Sequence, residues 1–288
     1  MTTFEMQITN DGENYDHSSK FEFPQNPMTT NFPIQMDRTI QNVLYNSYHV
    51  ITTGGGIKTR QIVGNGTFHG STRKTSYNGL AGKIVSNYIQ RFWLDSDTFF
   101  RFYGGSVKEV LNSEKNNFID YTFSLNMTDP YIYKNTSGTF RSLEVTGVSD
   151  SDPHVTGAFT NNGNCDTIPV IEITNNNATP VTQVDIGDGA TLATSVHTFT
   201  WYGSSIANGK TLIIYPYKML NQTGKGDVWS TRIGYCEIDD AVVGSRNQNG
   251  TGSQPRITAG TTSQVFSYQI TGAVDVDIVF KWYDAYTG

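Results

Sequence analysis

Between Phe118 and Met127 the chain reads "FIDYTFSLNM", with Ile119, Tyr121, Phe123, Leu125 and Met127 on alternate positions. Asp120, Thr122, Ser124 and Asn126 lie between them. Side chains alternate across a strand, so this predicts a strand with one buried and one wet face. Asp129-Pro130 follows. Proline has no N–H for the ladder and restricts the residue before it, so the strand is expected to end there. Tyr131 and Tyr133 then resume the odd phase. Near the C-terminus, Val274, Val276, Ile278, Phe280 and Trp282 repeat the alternation.

The rest of the chain also reads mainly as strand. "FEFPQNP" suits a short edge strand, because proline sits poorly inside a sheet. Gly54-Gly55-Gly56 and Asn65-Gly66 are turn signals. One segment has helical spacing: Leu80, Ile84, Val85, Tyr88, Ile89 and Phe92 form one apolar face, predicting an amphipathic helix from about Leu80 to Trp93. A turn at Gly104-Gly105 and a strand over Val107–Leu111 are expected next. After Lys134 the texture turns small and polar, and no later segment has helical periodicity. "PVIEITN", "VTQVDIG", "HTFTWYG", "KTLIIYPYK", "QVFSYQI" and "AVDVDIVFKWYDAY" are candidate strands of an antiparallel sandwich. Residues 245–264 read as a long surface loop. The chain has 288 residues, enough for two domains of roughly 100–200 each. The boundary is placed at 134, giving 1–134 and 135–288.

Composition agrees with many strands and turns: 28 glycines, 36% hydrophobic and only 16% charged residues. A net charge of -6 argues against a phosphate-gripping nucleic-acid binder. "MTTFEMQITNDG" lacks a basic region followed by an apolar run, so no signal peptide is expected, and no apolar stretch reaches membrane-spanning length. Cys165 and Cys236 are expected as reduced thiols, a disulfide between them being the alternative.

Chemistry-bearing patterns are sparse. "GSSIANGK" has its glycines six apart and precedes a β-branched strand, so it reads as a hairpin turn at Asn208-Gly209 and not as a phosphate loop. Asp185 with Asp188, and Asp275 with Asp277, are paired carboxylates; turn chemistry and a wet strand face are the simpler readings. His17, His49, His69, His154 and His197 show no metal-pair spacing, and no serine sits in a nucleophile elbow. Catalytic, metal and cofactor sites are therefore not expected. Trp201, Tyr202 and Trp229 are candidate aromatics for stacking on sugar rings; filling a core is their commoner use.

The order of elements, "SLNMTDPYIY" and "GNCDTIPVIEITN" resemble the distal tail protein (Dit) family of long-tailed bacteriophages. The first motif places the family's aspartate-proline-aromatic element on Asp129, Pro130 and Tyr131, with Tyr133 after it. The second places its small-residue approach, proline and apolar strand on Gly163, Asn164, Cys165, Pro169, Val170, Ile171 and Ile173. The resemblance implies a ring-forming β-sandwich with one helix, then an outer galectin-like or carbohydrate-module-like β-sandwich. It implies a structural protein of the virion tail tip, assembled in the bacterial cytoplasm. Six copies would form a hub ring between the tail tube protein and the tail-tip hub or tail-associated protein. Receptor-binding or side-fibre proteins would be anchored on it, with no catalysis, cofactor or membrane. Asp129, Pro130, Tyr131 and Tyr133 would mark the inter-domain junction. DNA would pass a lumen expected to be neutral or negative, since lysine-rich walls would hold phosphates. The competing readings are a glycan-binding module for host attachment and a polysaccharide-degrading enzyme using Asp275 and Asp277.

Overall fold

The computed structural model describes residues 6–10, 20–30, 36–37, 40–42, 49–51, 56–57, 61–85, 89–113, 115–127, 131–134, 141–148, 152–202, 205–215, 235–238, 241–245, 250–272 and 275–287. The chain is mainly β and divides into two compact units. The first comprises Met1–Ile132 with Thr287–Gly288, the second Tyr133–Tyr286.

In the first unit the strands are β1 (Gln7–Asn10), β2 (Phe21–Glu22), β3 (Met28–Thr30), β4 (Met36–Asp37), β5 (Ile40–Asn42) and β6 (His49–Ile51). They continue with β7 (Gly56–Ile57), β8 (Gln61–His69), β9 (Ile89–Trp93), β10 (Thr98–Ser113) and β11 (Phe118–Met127). The helix α1 spans Arg73–Ile84. The main sheet runs β2-β1-β9-β10-β11-β8-β3, while β4 pairs with β7 and β5 with β6. The alternation in β11 is realised: Ile119, Tyr121, Phe123, Leu125 and Met127 are buried. Tyr121, Phe123, Leu125 and Met127 join Ile8, Phe23, Ile62, Phe68, Phe92, Phe100 and Phe102 in one core, closed by Leu80 and Ile84 of α1.

Three local expectations are corrected. The helix runs over Arg73–Ile84, and Ile89–Trp93 is a strand. That strand pairs on both sides, with β1 and β10, and Gln90, Arg91, Phe92 and Trp93 are all buried. A strand buried on both faces carries no alternation, and Ile89 and Phe92, three apart, pass for a helical stripe. Asn65-Gly66 is not a turn but the middle of β8. Gly64 lies opposite Phe123 and Gly66 opposite Tyr121. A Cβ at either glycine would run into the ring of its opposed aromatic. Glycine is needed because the neighbouring strand lays its rings across this one; the Tyr121 ring stacks on Phe68 at 4.4 Å. Burial also pushes the Tyr121 phenol up. Gly104-Gly105 does not close a turn either. It is an irregularity inside β10, with a register shift between Phe102 and Gly105 and φ 66° at Gly104. Bulges bend a strand without ending it. The N-terminal segment, which carries no strand signal, supplies β1 beside β9, with Ile8 fully buried.

β12 (Ile132–Lys134) begins on the last residue of the first segment, and the second unit continues with β13 (Arg141–Val148), β14 (His154–Val155), β15 (Val170–Asn175), β16 (Gln183–Gly187), β17 (Thr198–Trp201) and β18 (Thr211–Tyr215). It ends with β19 (Tyr235–Ile238), β20 (Ala241–Ser245), β21 (Gly250–Gly252), β22 (Ser267–Thr271), β23 (Val276–Trp282) and β24 (Asp284–Tyr286). Two sheets, β13-β23-β15-β18-β19-β20 and β14-β22-β16-β17-β21, form a sandwich. Ile171, Ile173, Leu212, Ile214, Ile278 and Phe280 from one sheet meet Val184, Ile186, Phe199, Trp201 and Ile270 from the other. Each of the six strands expected in this half is present; Val274 lies outside the described residues. Asn208-Gly209 is a turn, with φ 72° at Gly209, but it closes no hairpin: Ile206 bridges Val181 and β18 pairs with β15 and β19. Residues 245–264 are not simply a surface loop. They contain β21, a buried Gln254 and a fully buried Ile257 bridged to Thr167. No helix among the described residues is long and apolar enough to cross a membrane.

Trp201 is fully buried, so Trp201→Ala is expected to cost about 3–5 kcal/mol. A shift in the urea unfolding midpoint of the full chain measures it. Gly64→Val, which forces Phe123 from its place, is expected to cost about 1–3 kcal/mol; an unchanged midpoint would show that the ring has room to move.

Candidate functional site

Of the residues singled out for a junction, Tyr133 is the first of the second unit. Asp129 and Pro130 fall outside the described residues. Tyr131 is half-buried and Tyr133 is buried. The Tyr133 ring meets Tyr283 edge-on at 6.1 Å, and β12 pairs with β24. The strand that opens the second unit is thus zipped to the strand that closes it.

The segment carrying Gly163, Asn164 and Cys165 straps this place down. Cys165 N donates to Ala285 O at 3.1 Å. A Cβ at Gly163 would collide with the Ala285 backbone, so only glycine lets the two backbones approach. Asn161 is 1% exposed; it donates to Thr258 O at 3.1 Å and accepts from Gly163 N at 3.0 Å. Thr167 and Ile257 exchange backbone bonds of 2.9 and 2.8 Å. Gln254 donates to Pro169 O at 2.9 Å. Cys165 is buried, and its Sγ donates to Asn164 Oδ1 at 3.3 Å. In the chain this motif reads as a turn-rich link; in the fold it is a hydrogen-bonded strap.

Beside the strap sits an ion pair that no sequence pattern announced. Arg141 Nε donates to Asp284 Oδ2 at 2.8 Å, with the carboxylate side chain only 4% exposed and the arginine 30%. Burial pushes the Asp284 carboxyl up, outweighing Arg141, the Asn162 backbone N–H and the Trp282 indole, which favour its charged form. Burial, with the nearby Asp284 charge, also raises the Tyr286 phenol. The two partners are 143 residues apart. An acid inside "KWYDAY" is the one hint, because a carboxylate among aromatics needs a partner.

The carbohydrate-stacking set does not assemble. Trp201 offers no face to a sugar, since β17 turns it into the core between the sheets. Tyr202, next along the chain, is 49% exposed. Trp229 lies outside the described residues. The carboxylate pairs are structural. Asp275 precedes β23 with φ 119°, so it does not share a strand face with Asp277. Asp277 accepts from Gly147 N at 2.9 Å and Asn176 Nδ2 at 2.8 Å, tying β13 to the residue after β15. Asp185 accepts from Thr200 Oγ1 at 2.5 Å and Gln183 Nε2 at 2.7 Å. Asp188 meets His197 Nδ1 at 2.6 Å and accepts from His197 N at 3.0 Å, closing the β16–β17 loop. Among the described residues no group of three His, Cys, Asp or Glu is placed to hold a metal ion. The arrangement positions backbone.

The raised Asp284 carboxyl has a signed consequence. The folded chain keeps this proton at pH values where the unfolded chain, at about the ordinary 3.8, has lost it. Folded protein therefore binds more protons, and stability falls as pH rises from 3.8 through the raised value. Comparing urea midpoints across that window, Asp284→Asn is expected to flatten the slope relative to the wild-type chain. An identical slope in both would remove Asp284 as its source.

The sequence matches no protein-family model and no curated protein. Solved structures do match. The crystal structure of phage SPP1 Dit, described as a paradigm of hub adsorption apparatus in Gram-positive infecting phages, aligns over 96% of this chain and 98% of its own, at 14% identity and TM-score 0.49. A chain of the phage P2 baseplate, in its activated conformation with Ca, aligns over 96% of this chain and 97% of its own, at 10% identity and TM-score 0.53. At such identity the likeness is one of fold, and over nearly its whole length this chain has the fold of a phage P2 baseplate chain.

Proposed function

We propose that this chain is a structural virion protein of a phage tail tip. The observation that carries the reading is the likeness to a P2 baseplate chain, which spans both units and nearly all of each chain. Fold alone does not fix function. The character of the polar groups supports the same reading: Asp185, Asp188, Asp277 and Asp284 are each engaged in fastening strands and loops.

In this reading residues 1–134 form the ring and residues 135–288, a galectin-like module, carry receptor-binding or side-fibre proteins. Six copies close into a hub joining the tail tube to the tail-tip hub protein, without catalysis, cofactor or membrane. DNA passes through the lumen without specific binding. Asp129, Pro130, Tyr131 and Tyr133 mark the change from one task to the other. Glycan binding is not adopted as a second reading, because it loses Trp201 from its stacking set.

Native mass spectrometry of the purified chain tests the assembly. A species of six chains is expected, and a clean monomer at high concentration would count against the ring. The lumen of that ring is expected to be neutral or negative; one lined mainly by Lys and Arg would contradict DNA passage without binding.

A further inference from the structure

We draw no further inference here: the strongest candidate, the surface patch of the second unit where exposed Val155, opposite Ser267, and exposed Val196, beside Ser195, flank the contact between those two serine hydroxyls, carries nothing because nothing in the structure shows what covers it.

Discussion

The antiparallel ladder β10-β11-β8 is the constraint on which the first unit depends. Alternation along β11 sends Tyr121, Phe123, Leu125 and Met127 to one side, and the core assembles around them. The rings are too large for an ordinary neighbour, so β8 answers with Gly64 and Gly66 opposite Phe123 and Tyr121. α1 adds Leu80 and Ile84 to the same core. On the other face of the ladder, Thr67 Oγ1 donates to Asp120 Oδ1 at 2.5 Å. A sheet built this way must end in edges, and the chemistry of those edges decides what the unit meets.

The second unit solves a different problem, that of a module whose chain must come in and leave at one place. Its two sheets share one hydrophobic core, and its first and last strands, β12 and β24, pair with each other. The strap through Gly163 and Cys165 and the Arg141–Asp284 pair fix that place. Burying the Asp284 carboxylate is not a stability device in itself, since desolvation outweighs its partners. Its value lies in fixing one geometry for the chain ends.

Much of this fold was legible in the sequence where burial is one-sided. β11 and β23 could be read residue by residue, because wet and dry positions alternate. Two-sided burial erased that signal in β9, and Phe92 and its neighbours passed for the continuation of a helix that stops at Ile84. Asn65-Gly66 misled because glycine serves both turns and close ring contacts, and only the opposed Tyr121 distinguishes them. The site was less legible. The Tyr131 and Tyr133 phase and the glycine strap were visible as motifs, but Arg141 and Asp284 are joined only by the fold. Trp201 shows the reverse: an aromatic beside a turn signal, which the sandwich places in its core.

The account stands on one proposal, that six copies of this chain close into a hub ring through residues 1–134. A cryo-EM reconstruction of the assembled chain tests it most directly. The account predicts six copies joined through residues 1–134 around a central channel. Copies joined only through residues 135–288, or particles with no ring, would contradict it.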